Sequence, residues 1–239
     1  MRKILPAFVF LSVVCSFQRA SAHYLWVTVD GRSGVPGAAN IYFEESPSAG
    51  DGSYLDHFTK TSTTWFRTVE EIEPQIIKTS DTREDQKRWL RAHLPTSAPR
   101  SIDCYGKFGV YRYGKTNVLL HYYARNLDVG THEELHELGR AEHMDLDIVP
   151  HDDQDHVELT VLWKGKPAAE RIVYIRGPKK FKKNIKTDNK GRVRFAPAHA
   201  GRYTFRTSVE QPTPGREGDK EYSLIRHNGT LIMTLPLRK

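Results

Sequence analysis

The sequence predicts a mainly β protein built as two tandem β-sandwich domains, with one or two short helices in the first. Three observations predict this class. Short runs alternate apolar and polar residues, as in "HYLWVTV" and "HMDLDIVP". Gly, Asn, Asp and Pro turn signals separate the runs, and the whole pattern restarts after residue 150.

The chain opens with a leader. Arg2 and Lys3 precede an apolar stretch from Ile4 to Val14, and Ala20-Ser21-Ala22 supplies the small residues that signal peptidases accept. Residues 1–22 are therefore expected to be removed after Ala22, leaving a periplasmic or secreted protein. The apolar run is too short to span a bilayer comfortably and no second one follows, so the chain is expected not to be membrane-spanning. Cleavage removes 22 of 239 residues and leaves Cys104 as the only cysteine, which excludes an intramolecular disulfide. The expected domains are 23–149 and 150–239, divided at "VPHDDQDH", which reads as a hinge.

Each element has a local reason. In "HYLWVTV", Tyr24, Trp26 and Thr28 share one face and Leu25, Val27 and Val29 the other. Ser46 to Ser53 is rich in Ser, Gly and Asp and reads as irregular. "DTREDQKRWLRAHL" is a helix candidate, with Asp81 as N-cap and Trp89, Leu90 and His93 at helical spacing. "SIDCYGKFGVYRYGKTNVLLHYYARNL" reads as three short strands broken at Gly106 and Gly114, and Pro150 is expected to end the "HMDLDIVP" strand. In the second domain, "TDNKGRVRF" is a turn followed by Val193 and Phe195 pointing into a core, and "HAGRYTF" repeats the device through Gly201.

Charge narrows the function classes. Without the leader there are 33 basic and 29 acidic residues. That balance is too mild for nucleic acid, and no basic stripe is interleaved with aromatics. The densest basic run, "GPKKFKKNIK", reads as a solvated hairpin tip.

Two motifs compete for metal chemistry. Thr131 to His136 contains a literal HExxH, in which His132 and His136 would bind zinc on one helix face while Glu133 activates water. Thr131 and Glu134 form a capping box, so a helix is expected here. It is short and polar nearly all round, which suits a surface connector better than a buried peptidase helix. The quieter candidate is His23. Cleavage after Ala22 would give it a free α-amine, and that amine together with ring Nδ1 can chelate one ion. The α-amine titrates at about 7.7–8.0, so a metal can displace its proton at neutral pH. Nitrogen donors in a plane favour Cu(II) or Ni(II). His121, in "LLHYYAR", and His227, in "IRHNGT", are the further candidate ligands. "HDDQDH" is a second polar cluster and reads as solvated.

Residues Val157 to Phe205, through "GKPAAERIVYI", "KTDNKGRVRF" and "AGRYTF", resemble the transthyretin-like, carboxypeptidase-regulatory β-sandwich, which implies an Ig-like architecture and is nearly silent on function. The chain as a whole, through "AHYLWV", "LLHYYARNL", "LDIVP", "GKP", "TDNKGR" and "YSLIRHNGTLIM", resembles an exported bacterial family of unknown function associated with periplasmic nickel or cobalt uptake. That resemblance implies metal handling and a membrane metal transporter as partner. The expected function is a non-enzymatic, exported protein that binds copper, nickel or cobalt through His23, His121 and His227. The alternatives are an adhesion or carbohydrate-contacting module using Tyr105, Tyr111 and Tyr113, and a zinc peptidase using His132, Glu133 and His136.

Overall fold

The computed structural model describes residues 23–31, 34–153 and 155–238, so the expected leader and its expected cleavage site lie outside the described residues. The first part of the chain runs β1 (Tyr24–Asp30), β2 (Ala38–Glu44), α1 (Asp56–Thr59), β3 (Thr63–Thr68), β4 (Gln75–Ile77), β5 (Ser80–Glu84) and β6 (Lys87–His93). It continues through β7 (Arg100–Tyr113), β8 (Thr116–Asp128), α2 (His132–Leu138), β9 (Leu146–Asp153), β10 (His156–Trp163) and β11 (Lys166–Pro167). The last part holds β12 (Ile172–Gly177), β13 (Phe181–Lys186), β14 (Arg192–Phe195), β15 (Gly201–Gln211), β16 (Gly215–Glu217), β17 (Lys220–Tyr222) and β18 (Leu224–Leu235).

An eight-stranded sheet, ordered β13-β12-β15-β18-β8-β7-β3-β4, forms the spine. A four-stranded sheet, β1-β2-β6-β5, covers one face of its β7–β8 region, burying Leu25, Val27 and Ile41 against Ile102, Cys104 and Leu120. A third sheet, in which β10 pairs with β9, β11 and β14, covers the other face of the β12–β15–β18 region, burying Leu159, Val161 and Phe195 against Ile175, Phe205 and Met233. The fold is thus mainly β, with two sandwiches as the strand patterning predicts. Their backing is shared: β18 pairs in parallel with β8 from Leu224↔Val118 to Met233↔Leu127, carrying one sheet across residue 150. Side chains close the free edge of β1, where Thr230 Oγ1 donates to Leu25 O at 2.7 Å and Asn126 Nδ2 to Val27 O at 3.2 Å.

Four local expectations are overturned. The helix expected over 81–94 is the β5–β6 hairpin, turning at Asp85 with φ 53°. Leu90, Ala92 and Leu94 alternate into the core, so a period of two wins over the apparent helical spacing. The "SIDCYGKF…" segment forms two long strands, not three. Gly106 does not break β7; it admits Phe58 of α1, since a Cβ there would stand 2.4 Å from that ring. Pro150 lies inside β9, opposite Leu159, and the expected hinge is the β9–β10 hairpin. The other turn readings hold. Asp188 Oδ1 accepts from Lys190 N and Arg192 N, with Gly191 at φ 73°. "GPKKFKKNIK" makes the β12–β13 hairpin.

Candidate functional site

His23 sits just ahead of β1 and lines a cavity of about 390 Å³ together with Phe43, Tyr54, Phe108, Tyr113 and Tyr122. Its ring lies 5.6 Å from that of Phe43 and meets Tyr54 edge-on at 5.3 Å. Its Nε2 is 3.8 Å from Glu44 Oε2. Glu44 ends β2 opposite Tyr24, so the β1–β2 register carries its carboxylate to His23. Gly50 makes room, since a Cβ there would fall 2.3 Å from the Glu44 carboxylate, and Gly52 N donates to Glu44 Oε1 at 3.4 Å. Burial raises the Glu44 carboxyl above its ordinary value, opposed by the Gly52 hydrogen bond and by His23. Sequence reasoning missed Glu44, whose carboxylate reaches His23 only through the β1–β2 register.

His121 and His227 lie elsewhere. On β8, Val118, Leu120 and Tyr122 face the first sandwich with His23, whereas His121 and Tyr123 face the opposite way. His227 is opposite His121 in the parallel β18–β8 pair, and the two rings stack at 5.0 Å and 22°. His121 Nδ1 is bonded to Tyr105 Oη at 2.8 Å and His227 Nδ1 to Tyr123 Oη at 3.2 Å. His227 Nε2 meets Gln211 Oε1 at 2.9 Å, and Trp163 lies 4.2 Å from its ring. Burial, with the nearby His121 and Lys164, depresses the His227 pKa to about 3. Of the expected triad, the fold brings His121 and His227 together and sets His23 across the sheet from them. Stacked rings point their in-plane lone pairs alongside one another, not at a common ion.

A β-bulge divides the tyrosines too. The β7–β8 register shifts between Lys107 and Gly109, with Gly109 at φ 96°. Tyr105 precedes the bulge and bonds His121; Tyr111 and Tyr113 follow it and line the His23 cavity. One extra residue reverses which face every later side chain takes.

The HExxH segment forms α2 with the expected capping box: Thr131 Oγ1 accepts from Glu134 N, and the Glu134 carboxylate accepts from Thr131 N. Leu135 and Leu138 are buried, while His132, Glu133 and His136 are exposed, the His136 side chain by 81%. Two guanidiniums hold the end of α2. Arg67 donates to Leu138 O and Arg140 O, and Arg125 to Leu138 O and Gly139 O. Both arginines also pair with Asp103, and Arg125 pairs with Asp147 as well. Burial alone would raise the Asp103 carboxyl, but Arg125 and Arg67 draw it below its ordinary value. His143 joins this cluster, its Nε2 3.4 Å from Asp103 Oδ2 and without a hydrogen-bond partner among the described residues. Cys104 is buried, and desolvation pushes its thiol up to about 12, which leaves it inert.

Among the described residues, no three His, Cys, Asp or Glu side chains converge as a metal site, and no helix is long and apolar enough to cross a membrane. No family model matches the chain, and no curated protein matches it. Solved structures give only remote likenesses. Native alpha-2-macroglobulin from Escherichia coli, domains NIE-MG1, aligns at 8% identity over 91% of this chain and 99% of its own, with a TM-score of 0.25. Chicken CNTN1 FN1-FN3 aligns at 10% identity over 85% of this chain and 66% of its own, with a TM-score of 0.22. The pullulanase of Anoxybacillus sp. LM18-11, solved with maltotriose, aligns at 10% identity over 78% of this chain and 23% of its own, with a TM-score of 0.20. Likenesses this distant carry no functional inference.

Proposed function

We propose that the chain is a non-enzymatic, exported protein that binds copper, nickel or cobalt through His23. The observation that carries this reading is the seating of the His23 ring between Phe43 and Tyr54, with Nε2 turned to the Glu44 carboxylate. In that orientation Nδ1 and the α-amine left by cleavage after Ala22 supply a two-nitrogen chelate. Glu44, 3.8 Å from Nε2, sets a negative charge beside the ring, which favours a cation bound there. The chelate needs only one residue's side chain, so it does not depend on three converging side chains. His121 and His227 are left out of this centre, because they lie across the sheet from His23, with Tyr105 on His121 Nδ1 and with Tyr123 and Gln211 on the two nitrogens of His227. Delivery to a membrane metal transporter is the role the family resemblance implies.

The test is to express the precursor in a bacterial periplasm, determine the mature N-terminus by mass, and titrate Cu(II), Ni(II), Co(II) and Zn(II). Inserting one alanine before His23 displaces the amine from the chelate and is expected to weaken binding by about 100-fold, or about 2.8 kcal/mol. Unchanged affinity in that variant would overturn the reading. Zinc binding lost only in His132→Ala, with accompanying proteolysis, would support the peptidase instead. A second reading, a carbohydrate-contacting module, draws on the exposed Tyr54, Tyr111 and Tyr113 around the same cavity. Sugar binding lost in Tyr113→Ala, in a protein that binds no metal, would favour it.

A further inference from the structure

Charge is segregated along this fold. Residues 171–208 hold 12 Lys and Arg and one acid, Asp188, a net +11, whereas the whole chain is +7, so everything outside the segment sums to −4. The segment supplies β12, β13, β14 and most of β15. Strands β13 and β14 are the end strands of two sheets that pack on each other, Phe181 lying 6.2 Å from Phe195, so together they form one open side of the second sandwich. At its margin Arg192 and Arg194 pair with Glu158, and Lys186 with Glu170. Lys179, Lys180 and Lys182 are exposed and have no carboxylate partner among the described residues.

The register arranges the rest. Across β13, β12 and β15, Lys182 is opposite Arg176 and Arg176 opposite Thr204; in the next row Asn184 is opposite Tyr174 and Tyr174 opposite Arg206. This face of the sheet is the one that β1 covers farther along, at β18. Arg206 therefore stands in the corner beside β1, its guanidinium 4.6 Å from the Tyr24 ring and 5.0 Å from the Tyr174 ring. It has no acidic partner among the described residues. Arg176, held by Ile175 O, Lys183 O and Asn184 Oδ1, has none either. Burial, and then the charge of Arg206, lower the Arg176 pKa, as two unneutralised cations side by side require.

Lysines on an end strand prevent strand-to-strand aggregation, which explains Lys183 and Lys186 of β13. That role does not explain Arg206 and Arg176, which lie on the sheet face where no strand can pair. We propose that this corner and its basic rim bind an extended acidic polysaccharide, whose carboxylates or sulfates meet Arg206, Arg176 and Lys182 while a sugar face rests on Tyr174. A flat bilayer would reach the Lys179–Lys180 tip but not Arg206, which β1 recesses; a single polymer chain can enter. The site is independent of His23.

The mature protein is assayed without metal, in chelator, against polygalacturonate, with dextran as the neutral control and phosphatidylglycerol vesicles as the rival surface. Binding to polygalacturonate but not dextran is expected, weakening at least about tenfold between about 0.02 and about 0.2 M salt. Arg206→Gln with Arg176→Gln is expected to cost about tenfold at unchanged Tm, and Lys183→Gln with Lys186→Gln less than about threefold. Parental affinity in the Arg206/Arg176 variant overturns the proposal. So does tighter binding to the vesicles that disappears on Lys179→Gln with Lys180→Gln alone.

Discussion

The two faces of β8 put the same residue types to opposite uses. Its even-numbered face, with Leu120 and Tyr122, backs a cavity open to solvent at His23. Its odd-numbered face, with His121, Tyr123 and Arg125, is paired within the fold: the histidines to tyrosines, the arginine to Asp103 and Asp147. A histidine with both nitrogens engaged and a depressed pKa is held neutral as part of the core, as His227 is. His23, beside a cavity and 3.8 Å from one carboxylate, has no such pair of hydrogen bonds among the described residues. The difference teaches that satisfaction of a side chain, more than its identity, separates a binding residue from a structural one.

Substitutions on the two faces should separate stability from binding. The largest effect is expected from Arg125→Met, which leaves buried Asp147 without its cation and Asp103 with Arg67 alone, and removes one of the two guanidiniums at the end of α2. A loss of about 3–5 kcal/mol in urea unfolding is expected, and a loss below about 1 kcal/mol would show that the cluster relaxes around the missing charge. Next, if His23 binds the ion as proposed, Glu44→Gln should weaken metal binding by about tenfold, since the bound cation loses the negative charge beside the ring. The matching change on the other face, His121→Gln, should leave affinity unaltered; an equal loss from both would erase the distinction between the faces. The smallest effect concerns acid stability. The unfolded chain protonates His227 near 6.5, while the fold refuses the proton until about 3. Stability is therefore intact above the unfolded value and falls as pH drops from there toward about 3. Thermal melts of His227→Phe should lose on the order of 1 kcal/mol less than the parent between pH 7 and pH 5. Parallel pH profiles would mean that His121 and His143, also depressed by burial, carry the slope.

Local patterns made much of the fold legible. Alternation in "HYLWVTV" placed Leu25 and Val27 in the core and Tyr24 outside it, and Thr131 with Glu134 marked the start of α2. Where the reading failed, a non-local partner overrode a local signal. Trp89, Leu90 and His93 have helical spacing, but β2 and β5 on either side recruit that segment as a strand. Gly106 looks like a break until Phe58 is seen to need the space. The site was less legible. His23 could be singled out because an expected cleavage motif precedes it, but Glu44 could not, because its carboxylate reaches His23 only through β1–β2 pairing.

By itself the sequence determined the alternation of Leu25 and Val27, the Asp188–Gly191 turn, the α2 capping box and the place of His23 after an expected cleavage motif. Each of these depends on residues within a few positions of one another. Only the tertiary structure decided that His121 meets His227 and not His23, that the Gly109 bulge parts Tyr105 from Tyr111, and that Arg206 stands over the Tyr24 ring. Pairing across a sheet joins residues more than a hundred positions apart, and a one-residue shift in register reverses the face they share. No local pattern contains that information.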